Sequence, residues 1–89
     1  MKAIITVTGR DTVGIIAKVS SSCSDYNANI LDITQKVLGD MFVMIMMADI
    51  TDLSIKFTDF VDKMDEIGKK NNLVIHTMHE DIFNAMHKI

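Results

Sequence analysis

Residues 41–48, Met-Phe-Val-Met-Ile-Met-Met-Ala, form the longest unbroken apolar run in a chain of 89 residues. The run is far too short to span a bilayer, which takes about 20 residues as a helix. Read with a period of two, Phe42, Met44, Met46, Ala48 and Ile50 fall on one face and Met41, Val43, Ile45 and Met47 on the other. A strand that is apolar on both faces belongs in the middle of a sheet, with cover on each side. The rest of the chain must therefore supply strands to flank it and layers to bury it.

The neighbouring segments supply both. Gly39-Asp40 reads as a tight hairpin connection, and before it residues 30–38 read as a strand. There Leu31, Ile33 and Val37 alternate with Asp32, Thr34 and Lys36, the pattern of a half-buried strand with one wet face. Residues 2–8 are β-branched and strand-like, with Ala3, Ile5 and Val7 on one side and Ile4 and Thr6 on the other. A helix is predicted over residues 13–26, its stripe set by Ile15, Ile16, Val19 and Cys23 and its exposed side by Ser20, Ser21, Ser22 and Ser24. Asn27, Ala28 and Asn29 end it, since asparagine tolerates a left-handed residue. Residues 51–54 read as a loop and cap for a second helix over 55–70, with Phe57, Phe60, Val61, Met64 and Ile67 on one stripe and Asp59, Asp62, Asp65 and Glu66 opposite. Asn71-Asn72 closes that helix, residues 73–79 form a fourth strand, and residues 81–87 form a short amphipathic tail with Ile82, Phe83 and Met86 on one face.

The order β-α-β-β-α-β is the ferredoxin-like α+β plan, an antiparallel sheet in the order 4-1-3-2 with both main helices on one face and a short C-terminal helix. One domain over residues 1–89 is expected. Strand two is then an edge, and its unpaired N–H and C=O groups invite pairing. The sheet face away from the helices would carry Ile4, Met41, Val43, Ile45 and Met47, an apolar patch that the tail helix, another subunit or both should cover.

Charge and composition remove several function classes. The formal net charge of −3 argues against direct nucleic-acid binding, which needs many cations to neutralise phosphates. The only adjacent basic pair, Lys69-Lys70, suits the last turn of a helix. The lone Cys23 excludes an internal disulfide and reads as a buried, inert thiol. Lys2 leads straight into a strand, so neither a signal peptide nor a membrane partner is expected, and a cytoplasmic protein follows.

Chemistry concentrates at one junction, Gly9-Arg10-Asp11-Thr12-Val13-Gly14, where a strand gives way to a helix. Free N–H groups of a first helical turn can hold an anion. Asp11 and Thr12 are good N-cap types, and the two glycines permit tight turning and close approach. The loop is not a P-loop, because Ile15 and Ile16 stand where Lys and Ser/Thr are needed, and it lacks the third glycine of a dinucleotide fingerprint. A small anion such as a carboxylate remains, or an ordinary capped turn. No catalytic set emerges. His76 and His79 point to opposite faces of their strand, His79, Glu80 and Asp81 read as a solvated strand end, and no metal or cofactor is expected. Arg10 stands where an acylphosphatase-like hydrolase would need an arginine, but its surroundings do not match that enzyme's phosphate cradle, so this reading ranks third.

Val7-Thr8-Gly9-Arg10-Asp11-Thr12-Val13-Gly14-Ile15-Ile16-Ala17-Lys18-Val19 resembles the opening of ACT domains, and Asn29-Ile30-Leu31-Asp32-Ile33 resembles the start of their second strand. The likeness covers the whole chain. The ending Glu80-Asp81-Ile82-Phe83-Asn84-Ala85-Met86-His87-Lys88-Ile89 is similar to that of small stand-alone ACT proteins, a group akin to the ACT halves of the glycine cleavage system repressor. The resemblance implies a non-enzymatic regulatory module that binds a small molecule, an amino acid first among the candidates, between two subunits. By position it implies contacts from Asp11, Thr12, Val13 and Gly14 of one subunit and from Asn29, Ile30 and Leu31 of the other. Asp11 would meet an ammonium, while backbone N–H groups or the Asn29 amide would meet a carboxylate. Two departures stand out: Val13 replaces the family's usual proline, and Asp11 replaces the asparagine of several amino-acid binders. The alternative is an assembly module that binds no ligand and pairs with another, regulated protein. Either way a symmetric homodimer is expected. A side-by-side form is favoured over packed sheet faces, because it brings Asn29 of one chain near Asp11 of the other. Ile82, Phe83 and Met86 of the tail should dock on apolar surface near that interface.

Overall fold

In the computed structural model, which describes residues 1–10 and 14–86, the apolar run forms β3 (Met41–Asp49). It is hydrogen-bonded on one side to β2 (Asn29–Leu38) and on the other to β1 (Lys2–Arg10). Beyond β1 lies β4 (Leu73–His79), giving the order β2-β3-β1-β4, which is the expected order read from the other edge. All three pairings are antiparallel. The helices are α1 (Ile15–Asp25), α2 (Phe57–Lys70) and α3 (Glu80–Met86). The architecture is the ferredoxin-like one with an added C-terminal helix.

The core lies between the two long helices and the face of the sheet built from Ala3, Ile5 and Val7 of β1 and Phe42, Met44, Met46 and Ala48 of β3. Val19 and Cys23 of α1 and Phe60 and Met64 of α2 close it from above, all four fully buried. Fully burying a side chain of this size stabilises the fold by about 1.5–3 kcal/mol relative to exposure. Cys23 Sγ lies 3.9 Å from Met46 Sδ, which ties α1 to the central strand.

Two glycines act by close approach. A Cβ on Gly9 would stand 2.7 Å from Leu73 Cδ2, and one on Gly68 would stand 2.8 Å from the Leu73 carbonyl oxygen. Gly14 differs. Its φ is +86° and nothing lies within 4 Å of a Cβ built there, so it is needed for a left-handed backbone and not for packing against the sheet. The same left-handed conformation ends both helices at asparagine, Asn27 with φ 64° and Asn72 with φ 55°.

The structure corrects several expectations. The N-cap of α1 is Gly14, with no side-chain cap, in place of Asp11 or Thr12. Asp11, Thr12 and Val13 lie outside the described residues. The N-cap of α2 is Lys56, so residues 51–54 do not cap it. The Thr51 hydroxyl instead donates to Asp49 at 2.6 Å, and the Ser54 N–H donates to the Tyr26 carbonyl at 2.9 Å. In β2 a bulge falls between Ile30, opposite Ala48, and Asp32, opposite Met47. Leu31 is the extra residue, 46% exposed, and Ile30 takes the half-buried place that alternation assigned to Leu31. From Thr34 to the end of the strand every residue is exposed, Val37 included at 50%, because the helices do not reach over this corner. The tail docks less than expected. α3 packs against β1 and β4, and Phe83 is half-buried, but Ile82 and Met86 are exposed. On the back face of the sheet, away from α1 and α2, Ile4 is buried, while Met41, Ile45 and Val74 remain exposed.

Candidate functional site

β1 and β2 both run antiparallel to β3, so they run in the same direction. One end of the sheet, here the upper end, therefore gathers the end of β1, the start of α1 and the end of β2. The lower end gathers the end of α1 and the start of β2. The predicted site residues divide between the two ends. Arg10, which closes β1 just before the junction, stands opposite Met41, while Asn29 stands opposite Asp49. The eight steps of β3 between those partners span about 27 Å, at about 3.4 Å per residue. Gly14 belongs to the upper end and Asn29, Ile30 and Leu31 to the lower. One chain does not bring the two groups together.

Each end has its own groove, and both open along the same α1–β2 side. The upper groove, about 420 Å³, lies between the first turn of α1 and the second half of β2. Its walls are Gly14, Ile15, Ile16 and Ala17 on the helix and Gln35, Lys36, Val37 and Phe42 on the strands. It is mainly apolar. The lower groove, about 350 Å³, is lined by Ser20, Ser24, Asn27, Ala28, Asn29 and Ile30. It is polar for a local reason. With Asn27 left-handed, its N–H donates to the Ser24 carbonyl at 3.1 Å and the Ala28 N–H donates to the Cys23 carbonyl at 2.9 Å, closing the helix on itself. These carbonyls are thereby satisfied, and the hydroxyls and amides of the groove remain the groups on offer to a ligand. The sequence motif had pointed to Gly14, Asn29 and Ile30 but not to Ile16, Val37, Ser24 or Asn27. The signal that could have found them is topological: parallel β1 and β2 must place the second half of β2 beside the start of α1.

The remaining chemistry is structural. Cys23 is fully buried, and burial pushes its thiol up to about 11, so it stays protonated and is a poor nucleophile. Asp49 accepts from the Thr51 hydroxyl and the Thr51 N–H and lies 4.0 Å from the N-terminal ammonium. Those two hydrogen bonds hold its carboxyl below the usual carboxylate range, and the Met1 ammonium, donating to the Thr51 hydroxyl at 2.9 Å, fastens the chain start beside the end of β3. His79 Nδ1 accepts from the Asp81 N–H at 3.2 Å, and its ring meets Phe57 edge-on. His76, opposite Thr6, faces the other side of the sheet. Among the described residues no group of His, Cys, Asp and Glu could hold a metal ion, and no helix is long and apolar enough to cross a membrane.

Comparison with known proteins sets this geometry in a family. A UPF0237 protein of Clostridium acetobutylicum is 45% identical over 89 residues, covering all of both chains. The solved structure of an ACT domain protein from Streptococcus pneumoniae is 38% identical, covers 98% of each chain and superposes with a TM-score of 0.83. A glycine cleavage system transcriptional repressor shares the fold at 20% identity, with a TM-score of 0.73 over 89% of this chain and 47% of its own. The ACT domain profile matches residues 2–76, which takes in the strand-helix junction, both grooves and the bulged start of β2. With the fold, the sequence and the relatives in agreement, the chain belongs to the ACT domain family, a family of regulatory ligand-binding modules.

Proposed function

We propose that residues 1–89 act as one regulatory module that senses a small zwitterion, an α-amino acid, held between two copies of the chain and without catalysis. The observation that carries this reading is the division of the candidate site between opposite ends of one sheet edge. A two-fold axis beside that edge sets the upper end of one copy against the lower end of the other. Asp11, Thr12, Val13 and Gly14 of one subunit then complement Asn29, Ile30 and Leu31 of the second. The chemistry of the grooves suits such a ligand. The hydroxyls and amides of the lower groove can bind its charged groups, and Ile15, Ile16, Val37 and Phe42 in the upper groove favour an aliphatic side chain.

Thermal denaturation in the presence of each free amino acid tests the proposal. A ligand at a hundred times its dissociation constant adds about 2.7 kcal/mol to stability, so at least one amino acid at millimolar concentration raises Tm. A second reading, assembly with a regulated protein and no ligand, draws on the exposed apolar residues Met41, Ile45 and Val74 of the back face. A flat response to every amino acid would favour it.

A further inference from the structure

We propose that a third groove, on the outer surface between α1 and α2, docks an acidic segment of another protein, with an aliphatic side chain seated between its carboxylates. This goes beyond the reading above and does not depend on whether an amino acid binds.

The groove, about 420 Å³, is lined by Ala17, Lys18, Ser21 and Ser22 of α1 and by Ile67 and Asn71 at the end of α2. From Ala17 to Ser22 it runs about 7.5 Å at about 1.5 Å per helical residue, the reach of about two extended residues. Its floor is the half-buried Ile67, which packs on the core, while Ala17, Lys18 and Ser21 are exposed. Small-molecule sites enclose most of their ligand, and these open walls do not. A protein segment can lie across such a groove and continue beyond it.

The charge on this surface sets the chemistry of the partner. The Lys18 ammonium donates to Asn71 Oδ1 at 2.8 Å, and the Asn71 amide donates to the Ile67 carbonyl at 2.8 Å, so a neutral group holds the cation at the groove. Lys70 ends α2 immediately before Asn71 and adds a second cation at the same end. The acids of this half of α2 are already engaged, Asp65 with Lys69 at 3.1 Å and Glu66 with Lys63 at 3.9 Å. Among the described residues neither Lys18 nor Lys70 forms an ion pair. The chain carries 12 acids against 9 Lys and Arg, yet among the described residues no acid lines this groove. An ammonium has three donors, and Lys18 spends one on Asn71. The Ser22 hydroxyl donates to the Lys18 carbonyl at 3.0 Å, which leaves the Ser21 hydroxyl as a further donor at the groove. Cationic donors beside an apolar floor suit a carboxylate next to an aliphatic group. Ala17 lines the upper groove as well as this one, so α1 stands between the two. A protein seated here reads the same helix that walls the upper groove.

Fluorescence anisotropy on the full chain at physiological ionic strength tests this. The probes are labelled peptides of about eight residues, roughly 27 Å when extended, in which Asp or Glu alternates with Leu, Ile or Val. Control peptides carry Lys in place of the acids. The acidic set contains binders and the basic set does not, and affinity falls as salt is raised. Lys18→Gln combined with Lys70→Gln weakens the tightest acidic peptide by about 10-fold or more. Lys2→Gln combined with Lys56→Gln removes the same charge from the other end of the molecule, Lys2 opposite Asp49 and Lys56 at the N-cap of α2. About 21 Å of helix separates Lys56 from Lys70, well beyond the screening length, so that pair changes affinity by no more than about twofold. Amide-shift mapping of the wild type needs no variant, and its largest changes fall on Lys18, Ser21, Ser22, Ile67 and Asn71. Failure of every acidic peptide to bind, equal binding of the basic set, shifts centred elsewhere or equal losses from the two double variants each overturn the site. The thermal response to free amino acids is measured separately and stands whatever the peptides do.

Discussion

The two edges of the sheet are built from similar strand-forming residues and treated in opposite ways. On the β4 edge Leu73 and Ile75 are buried, α2 packs along the strand, and Gly68 lets the helix backbone approach the Leu73 carbonyl closely. On the β2 edge only Ile30 and Ile33 are even half-buried, and the second half of the strand is exposed on both faces. The β4 strand is buried on its helix face within the chain. The β2 strand, flanked by both grooves, is the one the proposed second copy would cover. On this account stability and recognition sit on opposite sides of one sheet.

The largest expected effect comes from truncating one apolar residue on each edge. Ile75, 4% exposed, sits under α2, and Ile75→Ala should lower unfolding stability by about 2–5 kcal/mol in urea denaturation. Val37→Ala should change the stability of the single chain by no more than about 0.5 kcal/mol, while weakening self-association. Equal losses of stability from the two would erase the distinction between the edges.

A smaller contrast concerns ionisation. Cys23 on the buried stripe of α1 has its thiol raised from 9.0 to about 11 by burial. The folded state holds this proton more tightly than the unfolded one. The associated stability is therefore complete below pH 9 and lost as pH climbs toward about 11. A thiol-reactive dye should leave Cys23 unmodified at neutral pH and label it as the fold opens in alkali. Rapid labelling of the native chain at pH 7 would mean that α1 does not seal the core.

Much of the fold was legible in the sequence because burial dictates pattern there. The two-sided run at Met41–Asp49 could only be central, and Asn27 and Asn72 stood where left-handed residues were needed. The bulge was harder to see. Ile30 and Leu31 are both apolar, and simple alternation cannot tell which one faces the core, since pairing with Ala48 and Met47 decides it. The start of α1 was placed too early, because Asp11 and Thr12 have capping side chains while the N-cap falls at Gly14. The tail carries an apolar stripe, but seven residues are too few to bury all of it, and Phe83 alone is half-buried. Of the candidate site, the motif pointed to both ends of β2's edge. The walls of the grooves stayed hidden because they join residues about twenty positions apart, such as Ile16 and Val37, which only the parallel course of β1 and β2 brings together.

Cysteine pairing on the two edges tests the central claim most directly. Opposing residues of an antiparallel pair have Cα atoms about 4.5–5.5 Å apart, within disulfide reach. Thr34→Cys places a thiol on the exposed middle of β2, the edge the proposed second copy would cover, and Val74→Cys places one on the exposed back face of β4. Under mild oxidation the account predicts a covalent dimer that forms readily from Thr34→Cys and poorly from Val74→Cys. Cross-linking that is equal on both edges, or absent from Thr34→Cys, would contradict it.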